Sequence, residues 1–415
     1  MNLAQKFLQS YGLFIIFLFC FGILTPDLDA KFSLMDLDLE QQLNASAGSN
    51  IFKQLLWSSL FVFYVASFFL AGSYKKVSRN FYLKSLLLLM IVFISLISAF
   101  WSNYPSYVLK RSLFQLIFIS SIILAFYYSF INKTLERSIM LTVYSYLFIT
   151  LVSILLGVGF TADSALAGFA KNKNLMGINL AVLIITFHSL KKSYNFNFRN
   201  FKNILVLLII LLLLTKSKTS IFLVLFYFTM SNIHFKYVKA SLLIILASCV
   251  SMFLLLPLLS YLLNDYYHIG KLVDANFMTG RGFIWNILYY DLEYFDKLLS
   301  GYGYGSYFGV PQIPYFFDVD NSFLQYINSA HNGFIELYLQ FGALITSAII
   351  AIFVMCMKGL NSSHLLAGLS VIVLHNITEA SFYKDSTSIW VLYLLIFSIS
   401  IFSKKLSINS GKLGT

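Results

Sequence analysis

Leu205-Val206-Leu207-Leu208-Ile209-Ile210-Leu211-Leu212-Leu213-Leu214-Thr215-Lys216-Ser217-Lys218-Thr219-Ser220-Ile221-Phe222-Leu223-Val224 decides the fold. Ten consecutive aliphatic residues give way to six polar ones, and the apolar run then resumes. One continuous buried helix would have to carry two lysine charges at its middle, which is expensive in hydrocarbon. A tight turn at a membrane face satisfies both halves. The stretch therefore reads as two antiparallel membrane helices joined by Lys216–Ser220.

The rest of the chain repeats that pattern. Over 415 residues it is 59% hydrophobic and only 11% charged, whereas soluble domains carry about 25% charged residues. So much apolar surface cannot be hidden in one aqueous core, so the solvent is lipid. Twelve apolar runs are expected to form helices, at 7–24, 54–73, 83–100, 112–130, 139–158, 175–190, 203–216, 220–233, 240–263, 332–357, 365–379 and 388–403. The fold class is all-α and polytopic, with residues 1–415 as a single transmembrane domain. The first run lacks a small-residue cleavage site and reads as a retained helix.

Basic residues orient the bundle. With the N-terminus in the cytoplasm, alternate loops on that side hold 17 of the 29 lysines and arginines but only Glu136 of the 17 acidic residues. That face is then more positive than the chain's net +12, and the remainder is negative. The basic balance is a topology signal and calls for no nucleic-acid partner. Both termini are expected inside.

Two exterior segments are long. Residues 25–53 carry Asp27, Asp29, Asp36, Asp38 and Glu40 and read as a solvated loop. Residues 264–331 are too long for a plain connector and too aromatic for a disordered one. Within them Phe283–Leu299 has helical apolar spacing, which suits an amphipathic helix lying on the membrane surface.

Ser329-Ala330-His331-Asn332-Gly333-Phe334-Ile335-Glu336 closes this loop and opens an apolar helix expected to run on through Gly342. An imidazole can move a proton near neutrality; the plainer reading of His331 is an interfacial or capping residue. Asn332 can orient it or bind a sugar hydroxyl. Glu336, one turn on, is a carboxylate in the membrane zone, where such groups pair or work. Glu379 is similar, with Lys173, Arg281 or Lys384 as candidate ion-pair partners. Arg281 lies in Thr279-Gly280-Arg281-Gly282, where flanking glycines permit close backbone approach and a guanidinium fork suits a diphosphate. A salt bridge to Asp274 is the alternative.

Other exterior cations break the expected charge rule. Lys216 and Lys218, with Ser217, Thr219 and Ser220, stand at a helix start where anions bind, or simply snorkel. Lys173 and Asn174, in Lys171-Asn172-Lys173-Asn174, precede Gly177. Lys110 and Arg111 follow Trp101-Ser102-Asn103-Tyr104-Pro105. Gly301-Tyr302-Gly303-Tyr304-Gly305 lacks the strand and Gly-Lys-Ser/Thr ending of a nucleotide loop. It reads as a tight bend whose aromatics serve sugar stacking or the interfacial belt. Cys20, Cys249 and Cys356 fall inside apolar runs and read as small hydrophobes. No metal-ligand spacing is present. Asp318-Val319-Asp320 and Asp36-Leu37-Asp38 match a carboxylate pair in letters only.

These pieces, in this order, resemble the O-antigen ligase-related family of bacterial envelope proteins. The carrying residues are Trp101-Ser102 with Pro105 and Arg111; Lys173-Asn174 with Gly177; Ser217-Lys218-Thr219-Ser220; Thr279-Gly280-Arg281 with Ile284-Trp285; Gly301-Tyr302-Gly303 with Gly305; and His331-Asn332 with Gly342. The resemblance covers residues 100 to 380. The family pattern is His, then Asn, Ser or Gln, nine residues, Gly, two residues, and Gly, Thr or Tyr. Ile345 departs at the last position, and Lys218 stands where the family tends to have arginine.

The resemblance implies a GT-C-like inner-membrane glycosyltransferase, inverting and independent of metal, cofactor and nucleotide sugar. Its donor would be an undecaprenyl-diphosphate-linked glycan and its acceptor a glycan or lipid A-core. His331 and Arg281 would be catalytic. Lys218, Lys216, Arg111, Lys173, Asn174, Asn332 and Glu336 would contact substrate on the periplasmic side. A chain-length regulator is a candidate partner. Polymerase is favoured over O-antigen ligase, because the Trp-Ser-x-x-Pro and Lys-Asn-x-x-Gly pieces look closer to exopolysaccharide-type members. A transporter suits the helix count but not the one-sided polar residues. A protein-glycosylating member lacks the added exterior domain.

Overall fold

A computed structural model describes residues 3–29, 51–194, 196–262, 277–311, 327, 329–385 and 387–411. Their regular elements are helices, with one isolated antiparallel bridge between Phe160 and Leu166. In chain order the helices are α1 (Leu3–Cys20), α2 (Ile51–Leu70), α3 (Arg79–Ile97), α4 (Pro105–Ile131), α5 (Leu135–Leu155), α6 (Lys173–Tyr194) and α7 (Phe201–Leu214). They continue as α8 (Lys218–Ser231), α9 (Phe235–Val250), α10 (Leu256–Leu262), α11 (Phe277–Tyr294), α12 (Gly333–Cys356), α13 (Ser363–Thr378) and α14 (Ser388–Gly411). A π-turn at Ser251–Leu255 joins α9 to α10. Of the acidic stretches, Asp36–Asp38, Glu40, Asp274 and Asp318–Asp320 lie outside the described residues.

The decisive stretch divides as the lysines require: α7 ends at Leu214 and α8 begins at Lys218. Twelve apolar helices fall on the twelve apolar runs. Among the described residues six of them are long and apolar enough to cross a membrane, and the other six contribute shorter apolar stretches of 10–17 residues, such as Gln54–Leu70 and Ser388–Phe402. The protein is a helical, membrane-embedded one. Burial separates inner from outer helices. In α6, 83% of the most apolar stretch is covered by protein, against 22% in Phe235–Leu259. Exposed side chains such as Leu70, Phe100, Phe148 and Ile244 form the outer apolar surface, which lipid tolerates and water does not. The three cysteines are buried, as small hydrophobes are.

Polar contacts between helix ends sort the connections to two ends of the bundle. At one end, Lys84 donates to the Lys358 carbonyl (2.8 Å) and to Ser400 Oγ (2.8 Å), and Ser363 donates to the Ser231 carbonyl (3.1 Å). At the other, Asn332 donates to the Ile377 carbonyl (3.1 Å) and Lys216 to the Asp163 carbonyl (2.7 Å). We call these the Lys84 end and the His331 end.

Three sequence expectations are corrected. The fourth run starts at Pro105, not 112, because proline suits the first helical position, where its missing N–H is not needed. Arg111 thus sits within α4. The amphipathic helix begins earlier, at Phe277, and takes in Arg281. Its apolar side is covered by protein rather than lipid. Trp285, Leu288 and Leu292 are buried, Trp285 Nε1 donates to the Ala330 carbonyl (3.0 Å), and Tyr289 Oη donates to that of Phe253 (2.6 Å).

The third correction concerns α12, which does not run unbroken through Gly342. That glycine has φ 69° and ψ 175°, a region essentially closed to other residues. The chain around residues 298–303 fills the break. Ala343 N donates to the Leu298 carbonyl (2.9 Å), Tyr302 N to Leu339 (2.7 Å) and Gly303 N to Gln340 (2.9 Å). Backbone groups freed inside the bundle must find such partners.

Candidate functional site

The His331 turn is fixed by its neighbours in sequence. Asn332 caps α12: its Oδ1 accepts from Phe334 N (2.9 Å) and Ile335 N (3.1 Å), while Nδ2 holds the end of α13 through Ile377. Both ends of this buried amide are therefore occupied within the protein. That corrects its reading as a sugar ligand; it positions the turn. Gly333 is small for a related reason, since a Cβ there would overlap the amide of Asn376. The buried Glu336 reaches back and accepts from Ala330 N (2.8 Å). These contacts leave His331 at φ 48°, an uncommon conformation for a side-chain-bearing residue.

Glu379 is the centre of the constellation. It follows the last residue of α13, and its two oxygens divide between two partners. Oε1 accepts from Arg281 Nη2 (2.7 Å) and Oε2 faces His331 Nδ1 (3.3 Å). Arg281 Nη1 also donates to the Thr378 carbonyl. The alternative pairing of Arg281 with Glu379 is thus present, and the same carboxylate reaches His331 as well. Burial pushes the Glu379 carboxyl up, but the His331 hydrogen bond and the Arg281 charge outweigh it and hold the group below the usual carboxylate range. With Nδ1–H donating to that carboxylate, His331 keeps Nε2 as the basic nitrogen. Among the described residues Arg281 uses two of its five N–H donors. All three side chains are part-exposed.

Around this trio lie further charges. Lys384, His331 and Arg111 all act on the Glu336 carboxylate. Arg111 itself is a clamp. Its Nη1 donates to the carbonyls of Gly305 and Phe308 (the latter 2.9 Å) and Nη2 to that of Gly309 (2.9 Å). Tyr302, Tyr304 and Tyr307 are buried in the bend that it holds. Tyr304 stacks on Phe341 with ring centroids 6.0 Å apart, and Tyr307 Oη donates to the buried Asp291 carboxylate (2.6 Å). The glycine-rich stretch is the tight bend expected, with positive φ at Gly301, Gly303 and Gly305. Its tyrosines are core, so the sugar-stacking reading does not hold. Trp101-Ser102 belongs to the same assembly, because Gly303 packs on Ser102.

The remaining candidates form a second group at the same end. Lys173 pairs with Asp163 (2.5 Å), whose carboxyl is held low by that hydrogen bond, and Lys216 Nζ binds the Asp163 carbonyl (2.7 Å). Lys216 is therefore an anchor of its turn. Gly177 packs on Ser217 and Ser220, which explains why the Lys-Asn and Ser-Lys-Thr-Ser pieces travel together. Asn174 and Lys218 are exposed, and no ion pair engages Lys218 among the described residues. Helices α8 and α13 form the most extensively packed pair, antiparallel because Ser363 meets Ser231. The first turn of α8, with Lys218, therefore comes beside the last turn of α13, just before Glu379.

Sequence reasoning missed the Glu379–His331 pairing and the buried Asp291. Glu379 and His331 lie 48 residues apart, and no spacing rule joins them. Comparison of the chain with models of protein families, with curated proteins and with solved structures finds no match to any of them.

Proposed function

We propose that the protein is a glycosyltransferase of the inner membrane that moves a glycan from a polyprenyl diphosphate to an acceptor hydroxyl during surface polysaccharide assembly. On this reading all twelve apolar helices span, in a GT-C-like bundle, with both termini cytoplasmic and the His331 end periplasmic. The observation that carries the proposal is Glu379 bridging Arg281 and His331 at the end of the bundle where basic loops are scarce.

The chemistry follows from these groups. The acceptor hydroxyl attacks the anomeric carbon and gives its proton to His331 Nε2. The bond from that carbon to the diphosphate oxygen breaks on the opposite face, so the configuration inverts. Negative charge grows on the departing diphosphate, and the free donors of Arg281, together with Lys218, stabilise it. Glu379 fixes the imidazole tautomer and neutralises the imidazolium that forms. Lys218 is a point charge without a guanidinium's fork, so Arg281 orients the diphosphate. Arg111, Lys173 and Lys216 support the site by holding loops. Polymerase remains the favoured acceptor class, ligase the alternative; both share this donor half. A transporter would also use a broken helix, but the open backbone at Gly342 is already taken by residues 298–303.

Purified protein in liposomes with a polyprenyl-diphosphate oligosaccharide tests the reading. Release of polyprenyl diphosphate with glycan elongation is expected from the native chain and not from His331→Ala or Arg281→Ala. No release by the native chain, or equal release by all three, overturns it.

A further inference from the structure

The Lys84 end contains a cavity of about 920 Å³ between the loops that precede α3 and α13. Its lining includes Lys76, Arg79 and Lys358, together with Ser78, Asn80 and Ser362. No carboxylate among the described residues lines it, and none of the three cations has an ion-pair partner among them. Ser78 and Ser362 are the N-caps of α3 and α13, so the positive ends of two long helices open on the same space. Beneath lies a fourth cation. Lys84 is buried, and among the described residues its ammonium meets the Lys358 and Ser400 carbonyls (2.8 and 3.3 Å) and Ser400 Oγ (2.8 Å) and no carboxylate. Lys358 and Ser400 are themselves lining residues. A buried ammonium with no countercharge is costly.

We infer that this cavity is a binding site for a phosphate-bearing anion, either a phospholipid headgroup or a soluble phosphate compound. Phosphate supplies the negative charge and the several acceptor oxygens that three exposed cations and two helix starts leave unanswered. Basic pockets between membrane helices take lipid headgroups by the same physics. The site is at the opposite end from Glu379 and does not depend on the glycan-transfer reading.

Two probes separate the sources. The full-length protein in nanodiscs of phosphatidylcholine with phosphatidylglycerol is ejected for native mass spectrometry, and retained phosphatidylglycerol is counted. In nanodiscs of phosphatidylcholine alone, inorganic pyrophosphate is titrated against the thermal midpoint. The variant Lys76→Gln/Arg79→Gln/Lys358→Gln changes exposed side chains only. It is expected to bind on the order of 100-fold more weakly, at about fivefold per cation, while Lys236→Gln/Lys239→Gln binds as the native chain does. Phosphatidylglycerol retention lost in the triple variant assigns a lipid. A pyrophosphate shift lost in the same variant assigns a soluble ligand. Should the triple variant misfold, the single Lys358→Gln variant and weakening of native binding at 1 M salt replace it. Native protein that neither retains phosphatidylglycerol nor responds to pyrophosphate overturns the inference, as does binding unmoved by these changes.

Discussion

Replacing Gly342 by alanine should unfold the junction between α12 and the 298–303 segment. The residue sits at φ 69°, ψ 175°. For any residue with a Cβ that region costs about 1–3 kcal/mol. The new methyl would also overlap the Leu299 carbonyl and stand 2.6 Å from Ser300 N. Relieving the overlap moves the segment away and threatens three backbone hydrogen bonds of 2.7–2.9 Å, each worth about 1 kcal/mol net. A loss of roughly 3 kcal/mol or more results, which lowers the folded-to-unfolded ratio by about 100-fold. The assay is thermal unfolding in detergent, with limited proteolysis of the 298–303 region as a local readout. Glycan transfer should fall as well, since the same segment leads into the Arg111 clamp. A Gly342→Ala protein with native midpoint and native proteolysis would refute the argument that this backbone conformation holds the loop.

Three further outcomes follow from the site. Asn332→Ala should cost about 1–2 kcal/mol of stability through the lost cap, seen as a lower thermal midpoint even without substrate; unchanged stability would restore a ligand role. Arg111→Lys keeps the charge but loses the fork to three carbonyls, so thermal unfolding should show a loss of about 1–3 kcal/mol. The third concerns pH. Glu379 is held below the usual carboxylate range, so its contribution is present above the ordinary glutamate pKa of about 4.3 and lost as pH falls through the folded value. The native thermal midpoint should therefore drop more steeply on acidification below about pH 4.3 than that of Glu379→Gln, and parallel curves would contradict this.

Much of the fold could be read from local pattern. Lys216 and Lys218 in an aliphatic run force a turn whatever surrounds them, because no packing makes two charges cheap at mid-membrane. Asn332 before an apolar run signals a helix start for an equally local reason. What escaped depends on distant partners. Arg111 stood out as a cation on the wrong side, but nothing in the sequence says that its fork would be filled by carbonyls of residues 305–309. Gly342 looked like one more helical glycine; its role appears only when residues 298–303 close on the break. Tyr302 and Tyr304 read as interfacial residues or, less strongly, as sugar platforms, since an aromatic side chain suits a core, a ligand and an interface alike. Glu379 and His331 lie 48 residues apart. Their meeting is a product of α12 and α13 packing side by side, which periodicity does not encode.

On the proposed mechanism His331, Glu379 and Arg281 act as one unit on the departing diphosphate and the incoming hydroxyl. Single-turnover transfer by purified His331→Ala, Glu379→Ala and the double variant tests this most directly. If Glu379 acts through His331, the double variant is no slower than His331→Ala alone, with each single change costing about 10²–10⁴-fold for the imidazole and less for the carboxylate. Losses that multiply independently, or a Glu379→Ala protein as fast as the native one, would contradict it.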